Sequence, residues 1–298
     1  MAPIWGRYGP FFLYGFSVVL GVGVLAALGV TALLARRRGP LPNPLPVGEG
    51  TPIPLPVGGA RGGSAADEGV SGPLPNPLPQ GEGTRGWLDG ALLAGGGALL
   101  GGRAVFVWLN VAYFAENPAE VGQVWLGGLN YHGALLGGLA ALWLWARLSG
   151  RPFGRYAGLL APGLALLVAF GWAACAVEGC AYGRAAAPGP GPALWRGLGA
   201  GDLPDDAGVY ALRYRTQLAG AIGALLVFGG ALWAAGRLRP ATLFWGTLGG
   251  LALVHGVVAL GRGDPSPVVW GMRLVLWAET GLLVMSMIGV SVSLRGQK

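Results

Sequence analysis

Long apolar runs broken by short polar or basic segments dominate the chain. A bilayer core takes about 20 apolar residues as a helix. Seven stretches meet that length, at roughly 10–34, 87–113, 129–147, 156–177, 216–235, 241–260 and 272–293. The first has no cleavage-site pattern and is too long for a signal-peptide core, so it reads as a retained helix. The predicted fold class is an all-α integral membrane protein with about seven transmembrane helices. Basic residues set its orientation. Arg36, Arg37 and Arg38 follow the first stretch, Arg147, Arg151 and Arg155 the third, and Arg237 and Arg239 the fifth; Arg295 and Lys298 end the chain. These segments alternate and so share one side, which the positive-inside rule makes cytoplasmic. The N-terminus is then outside and the C-terminus cytoplasmic. Arg184, Arg196, Arg213, Arg215 and Arg262 fall on the outside, where an anionic ligand or plain solvation accounts for them.

Composition agrees. Of the 298 residues 53% are hydrophobic and 11% charged, against about 25% charged in soluble domains, and mean hydropathy is +0.55. Such a chain cannot cover its own surface with polar groups, which excludes a water-soluble enzyme. The net charge of +7 comes from residues between apolar runs, not from a basic nucleic-acid patch, so no nucleic-acid partner is expected. Residues 39–86 interrupt the pattern: GPLPNPLPVGEGT at 39–51 recurs as GPLPNPLPQGEGT at 72–84. This composition favours extended or irregular chain. Residues 1–298 therefore read as one polytopic membrane domain with a Pro/Gly-rich cytoplasmic insertion at 39–86.

Ionisable groups within membrane helices are costly and are functional candidates by default. Arg103, His132, Glu178, His255, Arg262 and Glu279 stand out. Each has a structural alternative. Arg103 can pair with Glu279 or with backbone carbonyls, and His255 can be a helix–helix hydrogen bond. His132 can bond a neighbouring carbonyl, and Glu178 can cap a helix or pair with Arg184. Arg184 and Arg262 can snorkel to the interface. Cys175 and Cys180 read by default as small buried hydrophobes, with a bond possible if Gly179 breaks the helix. Two cysteines are too few for a structural zinc site. No metal and no organic cofactor is implied.

Several short elements, in order, resemble the prolipoprotein diacylglyceryl transferase family of bacterial inner membranes. Arg7-Tyr8-Gly9 precedes an aromatic helix start, and Gly101-Gly102-Arg103 lies in the second stretch. Tyr131-His132-Gly133-Ala134 opens the third. Glu178-Gly179-Cys180-Ala181-Tyr182-Gly183-Arg184 fills the end of the family signature. Arg215-Thr216-Gln217-Leu218 precedes the fifth stretch, and Arg262-Gly263-Asp264-Pro265 follows the sixth. The family has seven membrane helices with the N-terminus outside, the topology read from the basic residues. The chain also departs from the family. The signature opens Gly-Arg-x-Gly-Asn there and Gly171-Trp172-Ala173-Ala174-Cys175 here, and the family's Arg and Glu of helix six align with His255 and Ala259.

The resemblance implies transfer of a diacylglyceryl group from phosphatidylglycerol to the lipobox cysteine thiol of a prolipoprotein. The thiol must become a thiolate, and the departing phosphate must be stabilised. His132, Glu178 and Arg184 are the catalytic candidates. Tyr8, Arg103, Trp172, Cys175, Gly183, His255 and Arg262 are the lipid- and phosphate-binding candidates. The partners implied are phosphatidylglycerol and prolipoprotein signal peptides, for a monomer in the bacterial cytoplasmic membrane with a wide apolar opening for lipid. A lipid-binding relative without this transfer is the alternative, and a small-molecule transporter a further one.

Overall fold

In the computed structural model, the residues described are 4–8, 11–37, 82–186, 199–205 and 207–295. The repeat-bearing insertion up to residue 81, with Arg38, Arg196 and Lys298, lies outside them. Eight α-helices are found among the described residues: α1 (Gly15–Arg37), α2 (Glu82–Leu109), α3 (Val111–Glu116), α4 (Tyr131–Leu148), α5 (Phe153–Glu178), α6 (Thr216–Ala234), α7 (Pro240–Ala259) and α8 (Leu274–Arg295). Six of them, α1, α2, α5, α6, α7 and α8, are long and apolar enough to cross a membrane. The predicted stretch 129–147 forms α4, which has 18 residues and carries His132 and Arg147 near its ends. It is not among the six.

The chain is not purely helical. Among the described residues three two-stranded antiparallel hairpins are found, one before α1 and two between helices. β1 (Ile4–Tyr8) pairs with β2 (Phe11–Tyr14), so the start of the first predicted stretch is strand. Its Phe-Phe-Leu-Tyr run suits extended backbone. β3 (Ala200–Pro204) pairs with β4 (Tyr210–Tyr214) inside the long predicted connection. β5 (Val268–Val269) pairs with β6 (Met272–Arg273) just before α8. The second stretch also ends earlier than predicted. At Asn110 the Nδ2 donates to the Phe106 carbonyl at 2.8 Å, and the short α3 follows the break.

Helix α5 is central, packing against α1, α6 and α7, while α7 also packs against α8 and α2 against α4. Half of the most apolar window of α7 and 44% of that of α5 is buried, against 11–28% in the other four spans. Those four therefore turn most of their apolar surface outward, as helices in contact with lipid do.

The α2–α4 contact has a local cause. Both helices carry the pentapeptide Gly-Ala-Leu-Leu-Gly, at 97–101 and 133–137. A Cβ on Gly101 would sit 2.4 Å from the Gly133 carbonyl oxygen, and one on Gly137 would sit 2.2 Å from that of Gly97. Small residues four apart let backbones approach this closely. Gly101→Val is expected to cost about 1–3 kcal/mol, the usual range for overpacking. Thermal unfolding of detergent-solubilised protein checks this, with an unchanged midpoint refuting the close contact.

Candidate functional site

Asn130 starts the site. Its Oδ1 accepts from the Gly133 backbone N–H at 2.9 Å, capping α4, and its own N–H donates to the Gly102 carbonyl at 3.0 Å. This fixes His132 in the first turn of α4, against the Gly101–Gly133 contact. Three further polar side chains approach from other helices: Trp172 of α5, His255 of α7 and Glu279 of α8. Each lies within two turns of its helix terminus, and the topology puts those termini on one side.

Glu279 is the hub. Its Oε1 lies 2.8 Å from His132 Nε2 and 3.4 Å from His255 Nδ1. On the far side of His255, the Trp172 indole N–H donates to Nε2 at 3.0 Å. The ring of Tyr131 packs on both imidazoles, with centroids 4.0 Å from His255 and 5.1 Å from His132. The Glu279 side chain is 3% exposed and that of His132 is 21%, so His132 is the member open to an incoming group. Its Nδ1 has no hydrogen-bond partner among the described residues. A neutral His132 that donates Nε2–H to Glu279 keeps a lone pair on Nδ1, the geometry of an oriented general base. Glu279 Oε2 and the Tyr131 hydroxyl are buried and unpaired in the same cluster.

Arg103, a candidate phosphate ligand, is committed elsewhere. Its Nε donates to the Val121 carbonyl at 2.8 Å, its Nη1 to those of Gly127 and Gly128 at 2.8 and 3.2 Å, and its Nη2 to that of Glu120 at 2.5 Å. The guanidinium also sits over the rings of Phe114 and Phe106. It clips the 116–130 connection onto α2, and it does not pair with Glu279.

The signature segment forms a second locus. Gly179 takes a left-handed conformation, φ +84°, and ends α5. Cys180 then turns back, and Cys175 and Cys180 form a disulfide with Cα atoms 4.8 Å apart. The default reading of two separate buried hydrophobes is thereby corrected; the left-handed glycine removes the helical spacing that kept them apart. The Thr216 hydroxyl donates to the Ala181 carbonyl at 2.7 Å, and Gln217 Nε2 donates to that of Cys180 at 3.0 Å. Gly183 lies so close to Tyr214 that a Cβ would stand 2.1 Å from its carbonyl oxygen, and it bridges to Arg262.

Arg262 is held by Asp264, with Nε donating to Oδ1 at 2.8 Å, and Arg273 donates to Arg262's carbonyl at 2.6 Å. Exposed Arg184 donates through Nη2 to the Leu260 carbonyl. Glu178, the last residue of α5, forms no ion pair with Arg184 among the described residues. Tyr8 closes β1 opposite Phe11. The structure thus joins His132, His255 and Trp172 of the sequence candidates, groups Cys175, Gly183, Arg184 and Arg262 around the end of α5 and the segment after it, and leaves Arg103 on α2 bonded to the 116–130 connection. Glu279 stood out in the sequence as an ionisable group inside an apolar stretch but was given no role in the site, and Tyr131 appeared only as the start of a motif. An apolar cleft between α7 and α8, lined by Ala241, Trp245, Ile288 and Val292 among others, lies at the opposite helix ends and does not reach this cluster.

These features define a polytopic helical membrane protein with a histidine–carboxylate cluster near one end of the helix bundle. The profile of a family described as prolipoprotein diacylglyceryl transferase matches residues 82–293. A phosphatidylglycerol–prolipoprotein diacylglyceryl transferase of Nitratidesulfovibrio vulgaris (strain DSM 19637 / Miyazaki F) is 30% identical over 199 residues, covering 66% of this chain and 71% of the relative. Proteins of the same name from Azoarcus sp. (strain BH72) and Aromatoleum aromaticum are 36% identical over 109 residues and 37% over 105, covering 35% and 33% of this chain and 41% and 40% of theirs. The chain belongs to the prolipoprotein diacylglyceryl transferase family.

Removing the Arg103 clip tests its structural assignment. Each hydrogen bond to a charged group is worth about 1.5–3 kcal/mol, so Arg103→Ala should cost several kcal/mol and open residues 117–128 to limited proteolysis. An intact, equally protected loop in that variant would return Arg103 to the phosphate-binding candidates.

Proposed function

We propose that this protein transfers the diacylglyceryl group of phosphatidylglycerol to the thiol of a lipobox cysteine in prolipoproteins. The observation that carries the reading is the His132–Glu279 contact at 2.8 Å, in a chain of this family. His132 Nδ1 takes the thiol proton, leaving a thiolate. The sulfur attacks the glyceryl carbon that bears the phosphate ester. A carbon–sulfur bond forms, the carbon–oxygen bond breaks, and glycerol phosphate leaves with that electron pair. The proton on His132 is balanced by Glu279 and passes to the leaving phosphate or to water. Arg184 suits the phosphate side, because a guanidinium donates in a planar fork and only its Nη2 has a protein acceptor among the described residues.

The same reading takes α4 as a seventh span, with the N-terminus outside and the C-terminus in the cytoplasm of a bacterial inner-membrane monomer. Two observations support that orientation. The basic loops fall on one side, and the Cys175–Cys180 disulfide falls on the other, where the compartment is oxidising. The site then opens on the face where exported prolipoproteins arrive.

Detergent-purified protein given phosphatidylglycerol and a one-cysteine lipobox peptide should form thioether product, detected by mass. His132→Ala should lower kcat at least about 100-fold, the scale of a lost general base. Undiminished turnover in that variant would remove His132 as the base. No product from folded protein that still binds phosphatidylglycerol would replace the transferase with a lipid-binding role. The orientation has its own test. Intact spheroplasts treated with an impermeant phosphine and then an impermeant maleimide should become labelled at both cysteines, whereas a cytoplasmic disulfide would leave them unlabelled.

A further inference from the structure

Trp172 and His255 lie behind the histidine–carboxylate contact, not in front of it. The indole N–H is a donor and nothing else. It lies 3.0 Å from His255 Nε2, so that nitrogen must carry the lone pair. A second proton there would set two N–H groups against each other. Neutral His255 then bears its hydrogen on Nδ1, the nitrogen 3.4 Å from Glu279 Oε1. The same oxygen takes the bond from His132 Nε2. The opposite His255 tautomer would turn a lone pair toward that carboxylate oxygen and repel it.

The indole itself has little freedom. A Cβ on Gly220 of α6 would come within 2.2 Å of the Trp172 ring, so the ring lies flush against a bare helix backbone. Trp172 is 7% exposed and His255 is 9%, out of reach of an incoming thiol or head group. The Tyr131 ring packs on His255 as well, with centroids 4.0 Å apart.

We infer that Trp172 and His255 are positioning residues: the indole N–H fixes the His255 tautomer, His255 fixes the Glu279 carboxylate, and Glu279 fixes His132 with Nδ1 free to accept the thiol proton. The control of His132 rests on the transferase reading; the tautomer lock does not. It involves no bond making and needs no co-reactant. Outer partners of this sort typically change activity by about 10–100-fold.

The chain has only two histidines, so uniform 15N-histidine labelling yields two ring systems, told apart by loss of one set in His132→Ala. At neutral pH in detergent, His255 should show an unprotonated Nε2 and a protonated Nδ1. Trp172→Phe removes the donor and leaves a smaller aromatic ring in its place. It should mix the His255 tautomers and lower kcat about tenfold, with KM little changed. His255→Gln offers an acceptor and a donor on one planar group and should retain most activity, whereas His255→Leu should not.

A protonated Nε2 on His255 in the unaltered protein, or a Trp172→Phe variant with both tautomer pattern and kcat unchanged, overturns the inference. If the unaltered protein has no turnover, the transferase reading and the control of His132 fail together, while the nitrogen pattern still decides the lock. Gly220→Ala, which displaces the indole without touching a polar atom, should reproduce the Trp172→Phe pattern; a native His255 pattern there counts against the lock.

Discussion

A carboxylate buried among membrane helices constrains this molecule more than any other single group. An unpaired Glu279, 3% exposed, would carry a desolvation cost of several kcal/mol. Intramembrane carboxylates accordingly face the bundle interior and find partners there. Glu279 finds two, and they come from different helices. Satisfying it therefore ties α4 and α7 to α8 at one end, and the Trp172 bond to His255 brings in α5. The polar cluster and the packing at that end of the bundle are one structural feature. Loosening His132 or His255 would leave the buried Glu279 carboxylate short of a donor.

The position of His132 within that cluster depends on glycines. The paired Gly-Ala-Leu-Leu-Gly segments bring the α2 and α4 backbones together, and Asn130 then fixes where α4 begins by capping it and bonding to α2. Arg103 works on the same connection. With its donors on four carbonyls of residues 120–128, it satisfies backbone groups that a connection at a membrane face would otherwise leave unpaired. A guanidinium in a membrane helix thus serves the loop that leads to His132. This explains why it does not reach Glu279, although both are ionisable residues inside apolar stretches.

Much of the fold was legible in the sequence because membrane spans follow from a length criterion. Most helix positions were readable from it, and His132 was singled out as one of few ionisable residues near an apolar stretch. The hairpins were not, since their residues sit in aromatic or glycine-rich segments that hydropathy assigns to helix ends or loops. The disulfide was open only as an option should Gly179 break the helix, and the left-handed Gly179 does break it. The partnership of Glu279 with His132 was hidden because Arg103 looked like the natural counter-ion; a cation six residues from a helix end can reach the adjoining loop instead. Two signals were available and unused: the identical glycine pentapeptides, and the placement of Trp172, His255 and Glu279 near helix ends that the derived topology puts on the same side as His132.

The departures from the family pattern also look different in three dimensions. On the resemblance read from the motifs, Trp172 falls where the family signature has Arg, and His255 and Ala259 fall where helix six has Arg and Glu. Taken singly these are losses of charge. In the structure Trp172 and His255 touch each other at 3.0 Å, so two of the replacements form one contact. Ala259 is 1% exposed, in a place with no room for a solvated carboxylate, and the carboxylate of the cluster comes from Glu279 on α8. Two cationic positions and one anionic one have given way to a neutral donor–acceptor pair, with a single Glu supplied from the neighbouring helix. With Glu279 ionised and the Trp172–His255 pair neutral, the cluster carries one negative charge, which the contacts from His132 and His255 offset in a low-dielectric bundle. What the substitutions leave in place is His132 held against that carboxylate.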